Sequence, residues 1–136
     1  MNESEDKFRS DLNFEDGCAC YHPAGNVSLA EAVEHCTEAI SFARTYGIGR
    51  LLIDATQLGG FPSPTVAERY WIARNFAFQA KTLVTVSFAL QPHLLDPERF
   101  GVTVATNLGM RTNAFSAKSE ALAWLLTQPD PMQTPK

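Results

Sequence analysis

No apolar run in this sequence is long enough to cross a bilayer. The most hydrophobic segment, Leu83 to Leu90, is interrupted by Thr85 and Ser87 and falls far short of the ~20 residues that a spanning helix needs. A secretory signal is also missing. The chain starts Met1-Asn2-Glu3-Ser4-Glu5-Asp6, where such a signal would place positive charge followed by an apolar stretch of roughly 7 to 15 residues. These two absences predict a cytoplasmic protein without a membrane span. Cysteine is scarce: Cys18, Cys20 and Cys36 are an odd number of thiols, so reduced side chains are expected in place of a disulfide framework. Positive charge is in deficit, with 11 Lys and Arg against 15 Asp and Glu and a net charge of −4. That is the wrong sign for attraction to nucleic acid or an anionic membrane through the overall field.

Recognisable chemistry is equally sparse. Ser63 falls between a predicted strand and a predicted helix, as a hydrolase nucleophile does, but Gly-x-Ser-x-Gly is absent and Pro64 has no amide hydrogen to offer an oxyanion. Gly59-Gly60 lacks the spacing and the lysine of a phosphate loop. The free amides at the start of the second helix could hold an anion, although Pro64 removes one donor. Cys18, Cys20 and His22 alternate on one face of a predicted strand. Same-face neighbours are ~6.6 Å apart, too far for one ion to reach all three at bonds of ~2.0 to 2.3 Å without distortion. Small thiols facing a core are the simpler reading. His35 lies among glutamates on a helix surface, and His93 follows Pro92 in a loop whose Asp96 is expected to cap a helix. Neither has an evident catalytic partner, so no catalytic residue, metal site or cofactor is predicted.

What the chain does contain is enough apolar material for one core: 45% hydrophobic residues in 136, the length of a single domain. Asp16-Gly17 between two short runs signals a hairpin. Ser28 and Glu31 form a capping box that opens a helix. Leu29, Ala32, Val33, Cys36, Ile40 and Ala43 then make one apolar stripe, and Gly47 closes it. Leu51-Leu52-Ile53 reads as a strand covered on both faces. After a loop from Thr56 to Pro64, Ser63-Pro64 is expected to cap and open a second helix reaching about Gln79. Leu83 to Leu90 reads as a buried strand. Asp96-Pro97 opens a third helix with Phe100, Val104 and Leu108 on one side and Gly109 at its end, although Phe100 to Thr106 is rich enough in β-formers to be a strand instead. Thr112 to Phe115 is a last strand, and Ser116 caps a final helix carrying Ala121, Leu122, Trp124 and Leu125. The order implies an α/β fold: an N-terminal hairpin, then alternating strands and helices, in a mixed, mostly parallel sheet flanked by four helices.

That order, with Gly25-Asn26-Val27-Ser28-Leu29 entering the first helix and Leu51-Leu52-Ile53-Asp54 entering a Gly-rich loop, resembles the anti-sigma-factor antagonist (STAS) family. The likeness is greatest to its SpoIIAA-like branch, which is similar to the CRAL-TRIO lipid carriers. It runs from about Asp11 to Leu126 and includes the closing Glu120-Ala121-Leu122-Ala123-Trp124-Leu125. The resemblance implies a domain over residues 11–126, preceded by an acidic leader and the start of the first strand in 1–10 and followed by a mobile tail in 127–136. In the regulatory members a strand ending in Asp-x-Ser precedes an Asp-Ser-Ser/Thr-Gly turn whose serine is phosphorylated. Asp54 and Thr56 match the first part, whereas Gly60-Phe61-Pro62-Ser63-Pro64 stands where the second would be. Ser63 is therefore expected to act as a helix cap and not as a phosphoswitch.

The second helix is unusual. At about 100° per residue, Val66, Tyr70, Ala73 and Ala77 form one stripe, flanked by Ala67, Trp71 and Phe78 on one side and Ile72 and Phe76 on the other. An apolar arc that wide exceeds what one sheet face needs. The helix is thus expected to be mostly buried, with Trp71, Phe76 or Phe78 meeting another helix, a pocket or another chain. Together with the resemblance, this implies a non-enzymatic regulatory or protein-interaction domain, a homodimer, with no nucleic-acid partner. The alternative is a small carrier holding an apolar or lipid-like molecule between sheet and helices. The candidate surface is Thr56, Gly59, Gly60, Phe61, Ser63, Trp71, Phe76 and Phe78.

Overall fold

The structure, a computed structural model, describes residues 11–132; the expected acidic leader and the last four residues lie outside them. Strands β1 (Leu12–Glu15) and β2 (Cys18–Tyr21) form the expected antiparallel hairpin, with Glu15 opposite Cys18. Asp16 and Gly17 between them take φ of 53° and 83°, the pair of positive angles that a two-residue turn between twisted strands requires. A short β3 (Ala24–Asn26) leads to α1 (Leu29–Thr45). Its capping box is complete: the Glu31 amide donates to Ser28 Oγ at 3.1 Å and the Ser28 amide to Glu31 Oε1 at 3.3 Å. The helix stops at Gly47, where φ is +74° and the Ile48 amide reaches back to the Ala43 carbonyl at 2.8 Å.

The remaining elements are β4 (Arg50–Asp54), β5 (Gln57–Gly59), α2 (Val66–Ala80), β6 (Thr85–Ala89), a 3-10 turn (Pro92–Leu94), α3 (Phe100–Asn107), β7 (Thr112–Phe115) and α4 (Lys118–Leu126). Strands β1-β2-β4-β6-β7 form a five-stranded sheet in that order, parallel throughout except for the first pair. A separate parallel pair, β3 with β5, extends the carboxyl ends of β2 and β4. The fold is α/β with a mixed, mostly parallel sheet and four helices.

Alternation along the strands sends their side chains to two cores. Ala19, Tyr21, Leu51, Ile53, Val86 and Phe88 face α1, α2 and α3, whereas Cys18, Cys20, Leu52 and Ala89 pack on Ala121 and Leu125 of α4. Cys18 and Cys20 are thus small apolar fillers, as their spacing suggested. No helix among the described residues is long and apolar enough to cross a membrane.

Four local expectations need correction. The cap of α2 is Thr65 and not Ser63: Glu68 N–H donates to Thr65 Oγ1 at 3.1 Å and Thr65 N–H to Glu68 Oε1 at 2.8 Å. Two residues earlier Ser63 has Val66 at the position where the reciprocating carboxylate must stand, so the start moves to the site where both bonds close. The last helix is entered from Ala117 without a side-chain cap, and Ser116 does not serve. Residues 100–106 are helical, but α3 begins at Phe100; Asp96 instead folds the turn before it, accepting from the amides of Glu98 at 3.0 Å and Phe100 at 2.9 Å. Leu108 is exposed, and Ala105 is the residue of α3 that enters the core. Finally, α2 is not mostly buried. Only Ala73, Ala77 and Ala80 are, for the helix lies between α1 and α3 on its small-residue side and turns Val66, Tyr70, Trp71 and Phe78 outward.

Candidate functional site

The carboxyl ends of parallel strands are where an α/β sheet leaves room, because the chain departs there into loops that diverge toward successive helices. Here that end holds a cavity of about 190 Å³ between the sheet and α1, α2 and α3. The sheet supplies Phe88, Leu90 and Ala114 as its floor. Helix α1 supplies Leu29, Val33 and Cys36, α2 supplies Ile72, Ala73 and Phe76, and α3 supplies Val102 and Ala105. The remaining sides are closed by Leu58 of β5 and Phe61 just after it from one crossover, and by Leu94 and Leu95 at the end of the 3-10 turn from the next. Phe76 stacks on Phe88, with ring centroids 5.4 Å apart and planes 19° from parallel, which fixes one wall against the floor. Among the described residues, charge enters the lining only through Arg69, Asp96 and Arg99. Cys36 is buried, and that burial pushes its thiol up to about 12, so it lines the space as a neutral apolar group and not as a nucleophile.

The residues singled out in the sequence divide into three groups. Phe61 and Phe76 belong to the cavity. Thr56, Gly59 and Gly60 build the loop behind it. The Thr56 carbonyl accepts from Gln91 Nε2 at 3.3 Å, Gly59 carries the carbonyl that receives the Val27 amide at 2.9 Å, and Gly60 sits at φ +97° so close to Val27 that an added Cβ would stand 2.9 Å from its nitrogen. Ser63 accepts from Arg69 Nη2 at 2.9 Å and thereby anchors a charged residue of the lining. Trp71 and Phe78 lie on the outer face of α2, 58% and 69% exposed, with Arg74 over the Tyr70 and Trp71 rings and Lys81 over Phe78. The arc that looked continuous in sequence is therefore split: one flank lines the cavity and the other faces water.

A second polar cluster stands at the ends of β2 and β4. His22 Nδ1 lies 3.3 Å from Asp54 Oδ2, and the Thr56 hydroxyl donates to Asp54 Oδ1 at 2.6 Å. Burial alone would raise the Asp54 carboxyl, but the bonds from the Thr56 hydroxyl and amide and from His22 together outweigh it and hold the group below its ordinary value. The carboxylate stands between imidazole and hydroxyl, so the histidine cannot take the threonine proton as a general base does in a nucleophilic triad. The cluster ties three strand ends together. His93 and Asp96 form no catalytic pair: both Asp96 oxygens accept from backbone amides while His93 is exposed.

No family model, curated protein or solved structure matches the chain.

Proposed function

We propose that this chain is a non-enzymatic STAS-like domain that works by holding an apolar small molecule between its sheet and helices. The observation that carries this reading is the cavity itself. It is a cleft of about 190 Å³ lined almost wholly by aliphatic and aromatic side chains from the sheet, three helices and the segments between them, the concave apolar form that small-molecule sites take. An apolar concave site of that kind, open to solvent on one side, buries the apolar part of a small molecule. The free thiols Cys18, Cys20 and Cys36 support a reducing, cytoplasmic setting. Native mass spectrometry of protein purified without added ligand is expected to show a retained small-molecule adduct that organic extraction removes. A bare chain that also gives no calorimetric binding of 1-octanol overturns the reading.

A second reading, contact with a protein partner or a second copy, is favoured by the outer face of α2, where Tyr70, Trp71 and Phe78 are 39%, 58% and 69% exposed. Sedimentation over a range of concentrations tests the homodimer: association should weaken in the Trp71→Ser, Phe78→Ser double variant. A monomer in both forms removes the homodimer.

A further inference from the structure

We infer that the cavity takes an amphiphilic anion, an apolar group of roughly six to eight carbons carrying a carboxylate or phosphate head that binds between Arg69 and Arg99. This rests on the reading of the cavity as a ligand site and adds the chemistry of the ligand. The size follows from volume: a dry cavity of ~150 Å³ accommodates benzene, and this one is about 190 Å³.

The head group follows from where charge stands. In a chain of net charge −4, the residues around the cavity include two arginines and one aspartate. The aspartate, Asp96, accepts from the amides of Glu98 and Phe100 at 3.0 and 2.9 Å and also feels the charge of Arg69, so of the two arginines Arg99 is the one that brings uncompensated positive charge to the rim. Arg69 is held in place by Ser63 Oγ at 2.9 Å and the Leu94 carbonyl at 3.3 Å. These use two of the five donors of its guanidinium, leaving three. Arg99 is exposed at the rim, and among the described residues its guanidinium has no hydrogen bond or ion pair. One oriented cation and one unengaged cation beside an apolar cleft match a ligand that buries its tail and leaves an anionic head at the opening.

The test is isothermal titration calorimetry of the wild-type chain with octanoate, octyl phosphate and 1-octanol, three probes sharing one tail. At least one anion is expected to bind about tenfold more tightly than the alcohol, as one charge-assisted contact allows, and the tighter of the two identifies the head. Arg99→Met should lower the affinity for that anion about tenfold and leave 1-octanol unchanged, while Arg99→Lys should restore part of the loss. Because Arg99 is exposed, its replacement leaves the core intact, and an unshifted thermal midpoint checks this. Equal binding of alcohol and anions overturns the inference while leaving the cavity reading standing, and failure of all three probes overturns both. An Arg99→Met variant that binds the anion as wild type does overturns the assignment of the head to this pair.

Discussion

Thr65 and Ser63 are near neighbours with similar side chains and different work. Thr65 completes a reciprocal cap with Glu68, so Thr65→Ala should cost about 0.5 to 2 kcal/mol. Ser63 is exposed and holds only Arg69, so Ser63→Ala should cost less than about 0.5 kcal/mol. Urea denaturation of the two variants decides this, and equal losses would return the cap to Ser63. Gly60 is constrained twice. Its φ of +97° is unfavourable for any side chain, and a Cβ would stand 2.9 Å from the Val27 nitrogen, a backbone atom that cannot swing aside. Gly60→Ala should therefore destabilise the fold by about 1 to 3 kcal/mol, visible as a lower urea midpoint with unchanged slope. A midpoint equal to that of wild type would show that the loop relaxes around the methyl group.

At the scale of elements, legibility in the sequence tracks how local the determining interaction is. Helix α1 is written in Ser28, Glu31 and Gly47, each acting within one turn of its own position, and the β1–β2 hairpin in Asp16-Gly17. Strands β3 and β5, Ala24-Gly25-Asn26 and Gln57-Leu58-Gly59, have little strand propensity and leave no local signal, because they exist by pairing with each other across more than thirty residues of chain. The cavity shows the same division. Phe76 stands out by the wide apolar arc of α2 and Phe61 by its place in the loop before that helix, whereas Leu58, Leu94, Arg69 and Arg99 meet there only because successive crossovers end at one edge of the sheet. Helix α2 has an apolar sequence pattern nearly all round, and that pattern cannot say which flank is inside. The structure puts Phe76 inward and Phe78 outward. Phe76→Ala should accordingly cost about 3 kcal/mol, while Phe78→Gln should change stability by less than about 0.5 kcal/mol. Thermal and urea unfolding of both variants provide the check; a costly Phe78→Gln would mean that this face is covered in the protein as it exists in solution.

The molecule as a whole is stapled at the end where the cavity opens and packed tightly where α4 covers the other face of the sheet, and its response to pH follows from that layout. Asp54 joins the ends of β2 and β4 to the turn that starts β5, through His22 and Thr56. Its carboxyl lies below the ordinary value of 3.8, so the folded state binds that proton less readily than the unfolded chain. The stability from Asp54 is therefore fully present above about that pH and is lost as pH falls through the lower folded value. On the alkaline side Cys36 is pushed from 9.0 to about 12 by burial. The folded state favours the neutral thiol, so this contribution is complete below pH 9 and is lost as pH rises toward 12. Between those limits neither group makes stability depend on pH. Urea unfolding of wild type and Asp54→Asn at neutral pH and in steps below pH 4 separates the acid limb: the wild-type advantage should be constant near neutrality and shrink as the carboxyl protonates, since the variant cannot titrate there. An advantage that stays the same down to the lowest pH would mean that the amide replaces the carboxylate in shape only and that charge at Asp54 contributes nothing to holding the strand ends together.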